Sequence, residues 1–520
     1  MHPGRRIRVE TPVKSPSAVM DVALFLVLAT ITIIPIIYFD ILPLFDLPSH
    51  MARLAVIQSS GNDPVLSQYY ALNWNLIPNL ALDIWAYLTA SFFDVEMASR
   101  SFIILSFLLL TSGTIFVHRA LGGTGPWPFI SFLFIWNEIL VWGFLSFLFS
   151  IGLALWLFGA WVRYREHNIV VRVLLHAVAA VGLLICHLFG FAVYALAVGA
   201  YEAGNVVLKW RARGVQMPGK AFFGGALQFV PALTLFLLSN TSSGASVIRY
   251  EDLIHKISNY STPLLLYSPP IQLIVVALFG LFIAYSLRKK WARIPPPCWF
   301  IIIIGVGCTI IAPSMMFNSY FLSHRMPVAL VFLFLATIQF VNFDRSISRW
   351  FRSSLIVVVA AHTMFIAWHW AEYQLTYKDL FAVTESVEEG STVLSMTLGT
   401  ERYSGNLRPP LIRAVEYLVP TKKIFSPHLL VDKWHQPIRL TEEAQRLREL
   451  APRPLFNPKP EHLKKLVRVF EKTAFEQFDY VLTIRMDAFE DQFPKNWVLR
   501  KHIGQFRLYQ TAVVKDPAID

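Results

Sequence analysis

The sequence predicts an α-helical polytopic membrane protein of about eleven transmembrane helices with a C-terminal extracytoplasmic α/β domain. Three observations predict it. The 520 residues are 55% hydrophobic and only 15% charged, against about 45–50% and about 25% in soluble domains. The apolar residues come in runs such as DVALFLVLATITIIPIIYF, SFIILSFLLLTSGTIFV and IQLIVVALFGLFIAYSL, which approach or reach the roughly 18–20 residues that cross a bilayer. Beyond residue 376 the runs stop, and charge and proline rise among short strand-like pieces. A soluble enzyme, a disordered scaffold and a disulfide-rich secreted module are excluded.

Charge placement gives the threading. The net charge of +12 gathers in short loops beside apolar runs, as GRRIRVETPVK, RYREHNIVVR, KWRARG, LRKKWAR and DRSISRWFR. That is the positive-inside pattern, which anionic lipid explains without nucleic acid. The segment 1–17 is then cytoplasmic, and the first run, 18–39, is a retained anchor rather than a signal peptide, because no small-x-small cleavage site follows it. Spans over 100–117, 128–143 and 144–162 follow. The stretch 172–208 splits into two spans that turn outside near His187. Spans over 221–239, 269–287, 298–316, 324–342 and 354–373 complete a transmembrane domain over 18–375. This parity makes 41–99 a long extracytoplasmic loop whose apolar part, around Asp83, lies along the membrane; the alternative is that 76–93 crosses and the parity error sits at 128–163.

The tail, 376–520, reads as a small α/β domain. STVLSMTL, FDYVLTI and FRLYQTAVV are strand-like, and LIRAVEYLV and EHLKKLVRVFEKTAF helix-like. It holds no Gly-rich phosphate loop, metal-ligand spacing or nucleophile elbow. Cys186, Cys298 and Cys308 all lie in or beside apolar runs, so the tail has neither a disulfide framework nor a thiolate metal site.

Chemistry-bearing residues gather at the outer boundary. The first loop reads Tyr38-Phe39-Asp40 and then Asp46-Leu47-Pro48-Ser49-His50-Met51-Ala52-Arg53. Asp46 with Pro48 in the next turn is a helix start. Spacing of i, i+4 and i+7 then puts Asp46, His50 and Arg53 on one face. The plain alternative makes Asp46 a cap, His50 and Arg53 lipid-headgroup contacts and Asp40 a solvated acid. Asn137 and Glu138 lie near the outer end of a span, where an acid is either functional or paired with a neighbouring cation or amide. His187 sits at an outer turn. His324 and Arg325 stand at the outer mouth of a late span, where an arginine either binds an anion or snorkels to headgroups. His362 and His369 read as bundle contacts with no acidic partner for a metal.

An acid in the first outer loop, followed by a histidine and a helix lying on the membrane, resembles the GT-C superfamily of membrane glycosyltransferases, which includes protein O-mannosyltransferases and bacterial aminoarabinose transferases. The Asp46-x-Pro48-x-His50-x-x-Arg53 form is similar to uncharacterised bacterial GT-C-like proteins. Trp142-Gly143-Phe144-Leu145-Ser146-Phe147, Cys186-His187-Leu188-Phe189-Gly190 and the stretch from Arg408-Pro409-Pro410 to Gln436-Pro437 carry the same resemblance. The chain has Asp46-Leu47 where better-known members have an Asp-Glu pair. The resemblance implies an inverting transfer of sugar from a polyprenyl-phosphate donor to an extracytoplasmic glycan, lipid or protein acceptor at a bacterial inner membrane. It implies Asp46, or second Asp40, as general base. Arg325, with His324 and Arg53, would bind the donor phosphate, and His50, Glu138, Asn137 and His187 would support the acceptor or the structure. No cofactor is specified; a divalent metal stays open without a ligand set. A polysaccharide ligase or polymerase shares this donor chemistry. A lipid-linked-sugar transporter is the rival outside it, and would call for paired repeats and midplane polar residues; no clear internal repeat stands out, and the acids cluster at the outer boundary instead.

Overall fold

The computed structural model describes residues 16–59, 61–213, 219–239, 247–316, 319–341, 345–399, 410–431, 436–452, 455–456 and 473–511. The expected helix from Glu461, apart from its last residues, and Arg408 and Pro409 lie outside them.

Seven helices are long and apolar enough to cross a membrane, and four shorter apolar helical segments join them. The chain is a polytopic helical membrane protein. The long ones are α1 (Pro16–Tyr38), α4 (Val95–Ala120), α5 (Leu145–Arg163), α6 (Ile169–Cys186), α7 (Leu188–Arg213), α8 (Pro269–Arg288) and α11 (Arg345–Val383); of the shorter ones, α9 is Cys298–Ile311 and α10 is Leu322–Thr337. Two helices of the first loop complete the numbering, α2 (Leu47–Gln58) and α3 (Ala81–Thr89). The outer helices turn apolar faces outward: Val170, Leu174 and Val178 of α6 and Ile271, Ile274 and Leu278 of α8 are exposed, as lipid contact requires. At the centre, α4 and α5 pack through glycines. A Cβ on Gly113 would stand 2.9 Å from the Leu155 Cβ, and one on Gly152 2.6 Å from the Leu109 Cβ. Without hydrophobic drive between helices in lipid, such close packing is what holds a bundle together.

The expected spans are corrected in three places. The segment over 128–143 is not one helix: a 3-10 stretch, Trp127–Leu133, is followed by a single turn, Glu138–Val141, because the Asn137 side chain accepts from Leu140 N and caps a fresh start. The stretch over 221–239 is likewise two helices, Lys220–Leu227 and Val230–Leu238, with Pro231 at the second start. The last span is much longer than 354–373. At 39 residues, α11 reaches roughly 58 Å, beyond a hydrocarbon core of about 30 Å, so one end stands clear of the bilayer and meets the tail: Tyr377 Oη donates to Pro410 O at 3.1 Å.

The tail forms a five-stranded mixed sheet in the order Val498–Ile503, Phe506–Gln510, Tyr480–Ile484, Val393–Gly399, Leu455–Phe456, with the first two pairings antiparallel and the last two parallel. The first loop is tied to this tail. β1 (Tyr70–Leu72) pairs antiparallel with β2 (Ile438–Leu440), Ala71 facing Arg439, and Tyr417 Oη donates to Leu42 O at 3.1 Å. Loop and tail therefore lie at the same end of the bundle. The loop is also held from below, where Arg100 of α4 donates to the carbonyls of Ile36, Phe39 (2.8 Å) and Asp40 (2.6 Å), satisfying the carbonyls left open at the end of α1. The apolar part of the loop is α3, nine residues or roughly 14 Å long.

The β1–β2 pairing gives a direct test. Ala71→Cys with Arg439→Cys places two thiols across one rung, within disulfide reach. Mild oxidation of membranes should cross-link them, seen as a mobility shift reversed by reductant; a pair that stays reduced means the tail does not dock on the loop.

Candidate active site

The site is built where the first loop, the turn before α5 and the mouth of α10 meet. Residues 45 and 46 dock on the backbone of 141–142, with Phe45 N donating to Val141 O at 2.8 Å and Asp46 N to Trp142 O at 3.2 Å. Gly143 makes this approach possible. Its φ is +85°, and a Cβ there would stand 3.0 Å from Asp46 N, so a side chain at this position would be strained and would push the loop off. His50 Nε2 lies 2.8 Å from Gly143 O and donates to it, since a carbonyl only accepts. Its Nδ1 is left as a buried, unpartnered acceptor.

Asp46 takes the N-cap position of α2 but makes no side-chain capping bond. Its carboxylate turns instead to the tail, where Arg413 Nε lies 3.0 Å from Oδ1. Burial pushes the Asp46 carboxyl up from the ordinary carboxylate value, and Arg413, Arg325 and Arg53 pull it back. Burial, and then the charge of Arg53, drives His50 down to about 3, so it is a neutral imidazole. Behind Arg413 stands Glu416, fully buried, accepting from Ser49 Oγ of α2 and pushed up to about 7 chiefly by burial.

These groups face a cavity of about 910 Å³, at the upper end of ligand-pocket sizes. Asp46, His50, Glu138, His187, His324 and Arg325 all line it, and so do Arg413 and Gln436 of the tail. Arg325 is 5% exposed. Its guanidinium lies 4.0 Å from the Phe144 ring centroid and 5.5 Å from that of Phe189, and it donates to Tyr320 O at 3.0 Å. Its Nε is unpartnered, and among the described residues no carboxylate reaches ion-pair distance of it. Beside it, His324 Nδ1 is 3.7 Å from Glu251. Glu138 accepts from Gln272 Nε2 at 2.6 Å, and His187 Nδ1 accepts from Phe189 N at 3.0 Å.

Three expected site residues are placed elsewhere. Arg53 is 1% exposed and ion-paired to Asp83 at 2.5 Å, and it does not line the cavity. Asn137 is spent within its own turn, donating to Phe134 O and Ile135 O. Asp40 is exposed and lines no part of the cavity. Sequence reasoning missed Arg413 and Glu416, although both lie in the helix-like LIRAVEYLV, where a cation and an acid three apart in an apolar segment are the available signal. Among the described residues no three His, Cys, Asp or Glu side chains converge as a metal-ligand set.

The fold and site together define a polytopic helical membrane protein with a polar cavity between its bundle and a small sheet domain. Among solved structures it is similar to the crystal structure of ArnT from Cupriavidus metallidurans bound to undecaprenyl phosphate, with a TM-score of 0.47 and 10% identity over 94% of this chain and 97% of that one. No protein-family model and no curated protein matches the chain.

Glu416 predicts a pH dependence of stability. Its carboxyl rises from 4.5 to about 7 on folding, so its contribution is fully present below the unfolded value and is lost as pH rises through 7. Thermal unfolding in detergent at pH 5 and pH 8 should show a loss that Glu416→Gln lacks; equal pH sensitivity in both proteins contradicts this assignment.

Proposed function

We propose that the chain is an integral-membrane glycosyltransferase that moves a sugar from a polyprenyl phosphate onto an acceptor hydroxyl, with inversion at the anomeric carbon. One observation carries the reading: a half-buried carboxylate, Asp46, and a buried guanidinium without a carboxylate of its own among the described residues, Arg325, face the same cavity. An uncompensated cation in apolar surroundings is costly, and a phosphodiester, with one negative charge, balances it. The aromatic rings beneath the Arg325 guanidinium hold it without neutralising it. The resemblance of the first-loop motif to GT-C enzymes supports the same assignment.

In this reading the acceptor oxygen attacks the anomeric carbon from the face opposite the phosphate. The bond from that carbon to the phosphate oxygen breaks, and its electron pair leaves with the phosphate. Asp46 takes the acceptor proton as general base, and Arg325 stabilises the charge growing on the leaving group. His50, neutral and with Nδ1 open, accepts a hydrogen bond from an acceptor hydroxyl, and Glu138 and His187 frame the same space. The loop 41–99 and the domain 376–520 face the periplasm of a bacterial inner membrane, with the N-terminus in the cytoplasm.

Three measurements test this: turnover, binding and labelling. Asp46→Asn should lower turnover by about a hundredfold or more, the scale of general-base catalysis, while polyprenyl-phosphate binding persists; Arg325→Gln should lose that binding. Full activity in Asp46→Asn, with Asp40→Asn inactive, would move the base to Asp40. Single cysteines introduced in 61–69 and 442–450 should react with an impermeant maleimide in spheroplasts, and protection of either contradicts the orientation.

A further inference from the structure

The tail brings a second cation to the cavity, and the charge balance of the transfer gives it a role. Arg413 is held by several partners, none of them exclusive. Its Nε is 3.0 Å from Asp46 Oδ1, without the alignment of a hydrogen bond. Its Nη1 is 3.1 Å from His428 O, 3.4 Å from Ser49 Oγ and 3.5 Å from Glu416 Oε1. Glu416, with its raised carboxyl, competes weakly for the guanidinium.

On the proposed transfer, the charges before reaction are one negative on the phosphodiester, one negative on Asp46, and the positive Arg325 and Arg413. When the new glycosidic bond forms, the electron pair of the broken bond leaves on the phosphate, which gains a negative charge as a monoester. The acceptor proton goes to Asp46, which becomes neutral. The sum is unchanged, but Arg413 loses its counter-ion at the step in which the phosphate acquires a second charge.

We propose that Arg413 is a second catalytic cation, passing from Asp46 to the departing polyprenyl phosphate as Asp46 takes the acceptor proton. The tail domain then supplies half of the leaving-group site, and proton transfer and charge neutralisation are one coupled event. The charged and titratable groups facing Asp46 are Arg413 and Glu416 from the tail, Arg325 from α10, and His50 and Arg53 from α2. Of these, Arg53 is committed to Asp83 and His50 is neutral, so Arg413 and Arg325 are the cations free to respond.

Binding of undecaprenyl phosphate to the purified full-length protein tests this without knowledge of sugar or acceptor. Asp46→Asn mimics the protonated base and should bind it about tenfold more tightly, the equivalent of 1.4 kcal/mol. The gain should vanish in Asp46→Asn/Arg413→Gln and survive in part in Asp46→Asn/Arg413→Lys. The affinity ratio of Asp46→Asn to wild type should also fall towards one as pH drops and Asp46 itself becomes protonated, a readout that needs no Arg413 variant. Unchanged affinity in Asp46→Asn, a gain that ignores Arg413, or a pH-independent ratio overturns the relay alone. Absence of binding in wild type and Asp46→Asn alike overturns the glycosyltransferase reading beneath it.

Discussion

The contact between Arg413 and Asp46 joins two halves of the molecule that the chain keeps far apart. A half-buried carboxylate at the start of α2 is pushed towards its neutral form by the loss of water, and a protonated carboxyl can accept no further proton. The guanidinium 3.0 Å away opposes that drift. Because it comes from the tail, the ionisation of Asp46 depends on how the sheet domain docks on the first loop. The β1–β2 pairing, the Tyr417 bond to Leu42 and the Ser49–Glu416 bond all bear on that one docking geometry.

A second constraint acts from the bundle side. The loop reaches the cavity only because Gly143 has no side chain and adopts a φ of +85°, which L residues rarely tolerate. Position 143 also receives His50 through its carbonyl. One glycine thus sets the height of both polar residues above the aromatic floor on which Arg325 rests. Removing water from that floor strengthens every charge interaction above it, which suits the proposed transfer, in which charge grows on a phosphate leaving group.

The legible and illegible parts of this site divide by contact range. Span positions were readable because bilayer thickness sets them, and breaks at Asn137 and Pro231 were overlooked because apolar composition hides a capped restart. Asp46, His50 and Arg325 were visible because each stands out against local apolar sequence near a membrane boundary. The grouping of Arg53 with Asp46 came from ideal helical spacing. Within that group Arg53 is drawn to Asp83, a buried acid, a partner thirty residues away that helical spacing does not reveal. Arg413 left only a weak local signal and Gln436 none of its own, since tertiary docking of the tail on the first loop carries them to the cavity.

The division of the site between bundle and tail has a chemical logic. On the proposed function, donor recognition falls to Arg325 of α10 and the rings packed against it, at the mouth of the bundle. Groups on the tail meet whatever approaches from the aqueous side. Gln436, buried on the cavity wall with no protein donor on its Oε1, offers an acceptor atom to whatever occupies the cavity. A buried polar group left unpaired is unfavourable by about 1–3 kcal/mol. On the proposed function, an acceptor hydroxyl beside Asp46 would meet that oxygen, which favours substrates that place hydroxyls, rather than apolar surface, against the tail.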